Sequence, residues 1–135
     1  MTARHTWATM ALTALTALST TAWADPCVTQ ANMQEMNTCA SQQYEAADAR
    51  LNEAYTALKA ALPAENAPGV AGPSPRMALR DAQRVWITFR DADCAAQTQI
   101  YAGGSIETLM HLVCMRQRTE QRTRELQRDQ WLPEG

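Results

Sequence analysis

The stretch from residue 78 to residue 94 (ALRDAQRVWITFRDADC) constrains this fold most, because it predicts a helix with apolar residues on two sides. At about 100° per residue, one face collects Ala78, Ala82, Val85, Trp86, Phe89 and Ala92. Ile87 and Cys94 fall on nearly the opposite side. A helix that must bury two faces lies between neighbours rather than at the rim of a bundle. We therefore expect this segment to be the central helix of the fold.

A longer periodic run covers residues 32–62 and predicts the longest helix. Its apolar positions recur at intervals of three and four residues, namely Met33, Met36, Ala40, Tyr44, Ala47, Leu51, Ala54, Tyr55, Leu58 and Leu62. No Gly or Pro interrupts the run. Asp48 lies at the flank of this stripe, where we expect it to meet Arg90 or the indole N–H of Trp86 across the helix interface. The alternative, a carboxylate that simply reaches water, stays open.

Residues 63–75 end that helix and lead into the helix predicted over residues 76–98. The segment has four prolines in thirteen residues (PAENAPGVAGPSP), which remove backbone donors and prevent helix continuation. A loop of this length in a small domain is either mobile or functional. Because it has no charge cluster and no aromatic residue, we expect it to be mobile. It returns the chain antiparallel to the first helix.

A bend at residues 101–107 (YAGGSIE) separates that helix from a last one, predicted over residues 106–130. Two glycines permit a left-handed helix end, the serine after them is a good N-cap, and the glutamate suits a first helical turn. The bend also projects from the bundle, which makes it a candidate contact region for a partner. The candidate partner-binding residues are Tyr101, Gly103, Gly104, Ser105 and Glu107.

The predicted last helix has an apolar stripe that weakens toward its C-terminus. The stripe consists of Ile106, Leu109, Leu112, Val113, Met115, Thr119, Thr123 and Leu126. Its five arginines are Arg116, Arg118, Arg122, Arg124 and Arg128. We expect the ion pairs Glu120–Arg124 and Glu125–Arg128 to reduce the positive charge of these arginines. Trp131 lies in a tail that either frays or packs back onto the bundle.

The first 24 residues have the pattern of a cleaved signal peptide. Arg4 gives a basic start, an apolar run follows, and the segment closes on Ala22-Trp23-Ala24. Thr and Ser interrupt the run, which is shorter than the roughly 20 residues that a membrane span needs. We therefore expect export to the periplasm or the cell exterior. The mature chain would be one domain, residues 25–135, with no membrane insertion.

Four cysteines follow the cleavage site, which in a short exported chain predicts two disulfides. Four cysteines allow three pairings, and the sequence favours the local one. Cys27 precedes a predicted helix and can fold back on its first turns, to Cys39. Cys94 and Cys114 lie on opposite arms of a helical hairpin. No C-x-x-C motif is present, so the cysteines are interpreted as structural rather than redox-active.

Charge and composition argue against several function classes. All 14 acidic residues and 11 of the 12 basic ones follow residue 24, so residues 25–135 have a net charge of −3. A nucleic-acid-binding domain is expected to be basic, and this one is mildly acidic and predicted to be exported. His111 is the single histidine after residue 24, which gives neither a catalytic triad nor a zinc cluster. Asp91 and Asp93 point about 160° apart on a helix and cannot share a substrate. We therefore expect no catalytic residues, no metal and no cofactor.

Several of these segments together resemble the lysozyme inhibitor LprI family, over residues 27–126. The resemblance rests on MNTCA from Met36, AQRVWITFRDADC ending at Cys94 and YAGGS from Tyr101, in register with all four cysteines. Further matching residues are Tyr44, Ala47, Asp48, Leu51, Asn52, Tyr55, Leu58, Thr119, Arg122 and Leu126. The resemblance implies a small helical, disulfide-bonded envelope protein, in a family named for inhibiting lysozyme. It provides no inhibitory residues to transfer, and the chain lacks a lipid-attachment cysteine that would anchor it.

The sequence thus predicts an all-α protein, a small antiparallel bundle of about three helices braced by two disulfides. The first functional hypothesis is a lysozyme inhibitor whose rigid bundle blocks the glycan cleft, with lysozyme as partner. The alternative is a non-enzymatic envelope interaction or stress protein that binds a different partner through the same bundle. Neither the class of lysozyme nor the oligomeric state follows from the sequence.

Overall fold

The computed structural model of the protein describes residues 25–131, and within them it contains three α-helices and no strand. The helices are α1 (Met33–Ala61), α2 (Pro75–Thr98) and α3 (Glu107–Leu126). Short 3₁₀ turns lie at Pro26–Thr29, Gln99–Tyr101 and Asp129–Trp131. This confirms the predicted all-α class. The predicted signal peptide lies outside the described residues, and in the part that is described no helix is long and apolar enough to cross a membrane.

The first two helices begin at side-chain caps. Asn32 precedes α1, and its Oδ1 accepts a hydrogen bond from the backbone N–H of Glu35 at 3.0 Å. Ser74 does the same for α2, since its Oγ accepts from the N–H of Met77 at 3.4 Å. Pro75 then occupies the first position of the helix, where its missing N–H has no consequence. The predicted extents of both helices are therefore confirmed to within a residue or two.

The three helices form an up-down-up bundle, and α1 packs most extensively on α3. Near the start of both helices, Ala40 of α1 meets Leu109 and Val113 of α3. Near their ends, α1 contributes Leu51 and Leu58 to a cluster with Leu126 of α3. Since α1 and α3 run in the same direction, α2 between them in the chain runs antiparallel to both. The apolar stripe predicted for α1 forms this core, as expected.

The prediction that the second helix is the centre of the fold is wrong. It is α3 that packs on both other helices, and α2 lies at the edge against α3. The face of α2 that looks inward combines apolar and polar residues, namely Leu79, Gln83, Arg90, Cys94 and Thr98. The face predicted to be core points outward, with Val85 70% and Phe89 56% exposed. Periodicity shows that α2 has two faces, but the disulfide at Cys94 and the polar contacts of the inward face decide which one is buried.

The last helix differs from the prediction at both ends. It begins at Glu107, and Ile106 rather than Ser105 occupies the N-cap position, without a side-chain cap. It ends at Leu126 instead of near residue 130. Ile106 is 38% exposed and does not belong to the core stripe. The bend forms its own hydrogen bonds, described below, so α3 does not need a serine cap.

The ion pairs predicted for the glutamates of α3 also differ from those observed. Glu120 pairs with Arg116 at 3.2 Å and with Arg50 of α1 at 3.7 Å, instead of with Arg124. Glu125 pairs with Arg122 at 3.3 Å instead of with Arg128. Both carboxylates turn toward the packed side of α3, where partly buried arginines lie, so these interactions join or flank the helix interface.

Two disulfides brace the bundle in the local pairing that the sequence favoured. Cys27 joins Cys39 with a Cα–Cα distance of 5.5 Å, and Cys94 joins Cys114 with 5.6 Å. The first fixes the N-terminal 3₁₀ turn to α1, and an ion pair between Asp25 and Arg116 of α3 holds the same turn. The second links the C-terminal half of α2 to α3. Both bonds thus tie a peripheral segment to the α1–α3 core.

The connection between α1 and α2 is irregular, but hydrogen bonds cross its middle and join its two ends. The Nδ2 group of Asn66 donates to the carbonyls of Val70 and Gly72, at 3.3 and 2.8 Å. Arg76 of α2 donates from Nε to the carbonyl of Leu62 at 2.7 Å, which satisfies an oxygen at the C-terminus of α1. The predicted mobility of residues 63–75 stays a prediction.

Candidate functional site

The tip, defined as residues 99–107, connects α2 to α3 and contains all the predicted partner-binding residues. It begins with the 3₁₀ turn Gln99–Tyr101 and continues into a tight turn in which the N–H of Gly104 donates to the carbonyl of Tyr101 at 2.9 Å. Gly103 has a φ of +76°, in the left-handed region that disfavours side chains. A Cβ atom on Gly104 would lie 3.0 Å from the carbonyl oxygen of Tyr101. Both glycines are therefore required by the geometry of the turn.

Glu107 closes this turn with its side chain. Its Oε2 atom accepts a hydrogen bond from the N–H of Gly103 at 2.8 Å, and its own N–H donates to the carbonyl of Gly104 at 3.2 Å. The carboxylate also lies in the first turn of α3, where the helix dipole favours a negative charge. Glu107 thus acts as a brace of the tip, and its charge is turned back onto the backbone.

The surface that the tip offers to a partner is mainly apolar. Ile100 is 81% exposed, and Ile106 and the half-buried Tyr101 lie in the same segment. Ser105 is exposed beside them. Tyr101 and Ser105 are among the residues predicted from the sequence, whereas the two isoleucines are not. Ile106 was instead assigned to the apolar stripe of the last helix, and Ile100 lies in a turn, where no periodicity indicates which residues point outward.

The base of the tip is rigid. Cys94 is fully buried, and its disulfide to Cys114 joins the two helices that carry the tip. One turn further along α2, the hydroxyl of Thr98 donates to the carbonyl of Cys94 at 2.8 Å. An open groove beside the tip runs between α2 and α3 and is lined by Ala95, Thr98, Gln99, Glu107, Thr108, His111 and Leu112. The tip is therefore preorganised, and a partner would not need to order it on binding.

A second cluster of functional groups surrounds Arg90 of α2. Its guanidinium donates to Asp91 at 2.9 Å and to the hydroxyl of Thr119 at 3.3 Å, and lies 3.6 Å from the carboxylate of Asp48. The predicted pairing of Asp48 with Arg90 is confirmed. The same group lies over the rings of Trp86 at 5.3 Å and Tyr44 at 5.7 Å.

Burial and a neighbouring positive charge shift the pKa of Tyr44 in opposite directions. Burial raises the pKa of the Tyr44 hydroxyl above its ordinary value of 10.0, while the positive charge of Arg90 lowers it less strongly. The guanidinium of Arg90 is engaged on each side by a carboxylate, a hydroxyl or an aromatic ring. We interpret this cluster as a brace of the three helices, because Arg90 of α2 contacts Tyr44 and Asp48 of α1 and Thr119 of α3.

A related cluster involves Trp86 and Trp131. The Nε group of Arg122 on α3 donates to the side-chain carbonyl of Gln83 at 3.1 Å, and its guanidinium lies 5.8 Å from the ring of Trp86 and 6.0 Å from that of Trp131. The indole N–H of Trp131 donates to the carbonyl of Glu125 at 2.7 Å. Trp131 therefore packs back onto the bundle. The sequence left open whether it would do so.

The residues with metal-binding or acid–base chemistry are also engaged elsewhere. Asp93, Cys94 and Cys114 form the group of potential ligands found in the described part of the chain, but both sulfurs belong to the disulfide and cannot act as thiolate ligands. Asp93 pairs with Arg118 at 2.7 Å, and Asp91 pairs with Arg90. The two aspartates thus lie in separate ion pairs and do not form a site for general acid–base chemistry.

The fold and this tip define a small, all-α, doubly disulfide-bonded protein with a preorganised apolar protrusion. The family whose sequence model is described as "Lysozyme inhibitor LprI" matches residues 25–126. The chain belongs to this family, as the sequence motifs indicated. The matched region contains all three helices, both disulfides and the tip.

One curated relative adds a comparison from another organism. An uncharacterised protein of Rhizobium meliloti (strain 1021) is 36% identical over 104 residues, which cover 74% of this chain and 75% of the relative. No solved structure matches the chain. The printed description of this relative names no activity or partner.

Proposed function

We propose that this protein is an exported, non-catalytic inhibitor of lysozyme. The observation that carries the proposal is the family match over residues 25–126, which includes the preorganised tip between α2 and α3. The ion pairs that engage Asp91 and Asp93 support a binding role rather than a catalytic one. The N-terminal pattern of residues 1–24, together with two disulfides, supports export to the periplasm or the cell exterior.

The tip is the proposed contact with the lysozyme cleft. A glycan cleft is concave, and a narrow turn with an exposed aliphatic side chain can enter it and exclude the sugar. Ile100 would contribute most of the contact because it is the most exposed large apolar residue of the tip. The carboxylate of Glu107 is turned back onto Gly103, which limits its repulsion from the carboxylates that line a glycosidase cleft.

The direct test is an inhibition assay with residues 25–135 in the oxidised form. The rate at which lysozyme clears a suspension of bacterial cell walls is measured as a function of added protein. We expect the rate to fall to a plateau at a micromolar excess. An unchanged rate against representatives of the different lysozyme classes would reject the proposal and favour the alternative, an envelope protein with another partner.

A pair of matched variants tests the position of the contact. Ile100→Asp introduces a charge at the tip, and Val70→Asp introduces the same charge at an exposed aliphatic residue in the loop between α1 and α2. We expect Ile100→Asp to weaken inhibition by about tenfold or more, as for a central apolar contact. Val70→Asp should inhibit like the parent. Equal inhibition by both variants would reject the tip as the contact and leave inhibition itself intact.

A further inference from the structure

The outward face of α2 carries a continuous apolar stripe that nothing in the described part of the chain covers. We call it the α2 stripe, and it consists of Ala78, Ala82, Val85, Phe89, Ala92 and Ala96, all of them exposed. Their spacing alternates between four and three residues, which is the pattern of a helix seam that packs against another helix. The inward face of the same helix includes Gln83, Arg90 and Thr98. Thus α2 keeps polar groups inside and leaves two large apolar side chains, Val85 and Phe89, in water.

The stripe is symmetric about its centre. Val85 and Phe89 lie two residues on either side of residue 87, Ala82 and Ala92 lie five on either side, and Ala78 and Ala96 lie nine on either side. If two α2 helices pack antiparallel around a twofold axis at this level, Val85 of one copy faces Phe89 of the other. Each alanine then faces an alanine, which lets the helix ends approach closely. A twofold interface requires such a self-complementary surface.

The charges on α2 favour the same arrangement. The first half of the helix, residues 75–86, contains three arginines and one aspartate, whereas residues 87–98 contain one arginine and two aspartates. Because Asp91 and Asp93 are already paired with Arg90 and Arg118, the second half is close to neutral, and antiparallel packing places the basic half of each copy beside this half of the other. Parallel packing would place like beside like, and it would also align the two helix dipoles unfavourably.

We propose that the α2 stripe is the surface on which a second copy of this chain docks, antiparallel and with twofold symmetry. The stripe spans 18 residue steps, or about 27 Å at about 1.5 Å per residue. One helix from each copy gives an interface at the small end of the range for specific complexes, as expected for a reversible dimer. The two tips lie at opposite ends of the pair and stay accessible, so the proposal does not depend on lysozyme binding.

The test measures the mass of oxidised residues 25–135, which hold the entire core and both disulfides, by sedimentation equilibrium from about 1 to 500 µM. We expect the mass to rise from that of one chain to that of two. Phe89→Asp should lower the association constant at least tenfold. Val70→Asp, the same charge at a comparably exposed apolar residue outside the stripe, should leave it unchanged. Circular dichroism checks that each variant retains the helical content of the parent.

A cross-linking experiment tests the direction of packing independently of Phe89→Asp. The single variants Val85→Cys and Phe89→Cys are mixed and oxidised mildly. Antiparallel packing predicts that the mixed dimer forms several-fold faster than either homodimer. Preferential Val85→Cys homodimers would overturn the antiparallel arrangement. A parent chain that stays monomeric at 500 µM would overturn the proposal. If the parent chain is monomeric and Phe89→Asp abolishes lysozyme inhibition, the stripe binds lysozyme instead of a second copy.

Discussion

Arg90 occupies the point where all three helices meet. It extends from α2 and contacts Tyr44 and Asp48 of α1 and Thr119 of α3. Its side chain is 7% exposed, whereas that of Asp48 is 43% exposed. The two partners of this ion pair therefore contribute unequally to stability. Arg90 fills space between aromatic rings, while Asp48 can be replaced by water without leaving a cavity.

We expect Arg90→Ala to lower the free energy of unfolding by about 2–4 kcal/mol, since it removes a buried side chain and its packing on two rings. Asp48→Ala should cost less than about 1 kcal/mol, because its carboxylate is well exposed and screened. Urea denaturation of both variants measures the difference. Arg84→Ala, an exposed arginine on the same helix, is the control. If Arg90→Ala were as stable as this control, the bracing role of Arg90 would be wrong.

Tyr44 predicts a pH dependence at the alkaline end. Its raised pKa in the folded state means that, above about pH 10, the unfolded chain releases the phenolic proton while the folded chain still holds it. The stability that this protonated hydroxyl contributes is fully present below the pKa that Tyr44 has in the unfolded chain. It is lost as the pH rises through the higher pKa that Tyr44 has in the folded protein. We expect stability to fall from about pH 10 upward more steeply in the parent than in Tyr44→Phe. Identical alkaline slopes in denaturant melts would contradict this.

At the scale of the elements, the sequence predicted which segments are helices much better than how they face each other. The stripe of α1 had one apolar face, so its burial followed directly from the periodicity. In α2, Phe89 suggested a core face. The opposite side carries Leu79 and Cys94, and the disulfide of Cys94 holds that side against α3. Phe89 therefore remains exposed to water. The pairing of Asp48 with Arg90 was predicted from their opposite charges, although the face of α2 expected to pack inward was the wrong one. The exposed isoleucines of the tip were not selected, because a turn has no period that reveals its outward residues.

The two disulfides differ in what they hold in place. Cys94 and Cys114 are 20 residues apart and connect the helices that carry the tip, whereas Cys27 and Cys39 are 12 apart and hold only the N-terminal turn. Replacement of either pair by alanine should cost about 3 kcal/mol. We expect the Cys94/Cys114 variant alone to lose inhibition as well, because its tip is no longer preorganised. Thermal melts and the lysis assay, run on both double variants, separate the two effects. Equal loss of inhibition in both would show that global stability, and not the tip, matters.

At the scale of the whole molecule, length and cysteine count largely determined the architecture. About 110 residues with one long apolar stripe can bury it only against other helices of the same chain, and the four cysteines restrict how these are arranged. The net charge of −3 for residues 25–135 is a property of the same scale. It does not define a contact, but it determines how the protein approaches a charged partner.

Association with lysozyme, which is typically basic, should therefore depend on salt, but weakly. A charge of −3 is small, and raising the ionic strength from about 10 to 150 mM shortens the Debye length from about 30 to 8 Å, so the long-range attraction is largely removed. We expect the association rate constant to fall about two- to fivefold while the dissociation rate constant changes little, because the proposed contact at Ile100 is apolar. Surface plasmon resonance across this salt range measures both constants.

Glu65→Gln, in the loop between α1 and α2, should slightly reduce the dependence of the association rate constant on salt, since it removes one negative charge far from the tip. An association rate that rises with salt would mean that the contacting faces repel each other, and the tip could then not be the surface that meets the cleft.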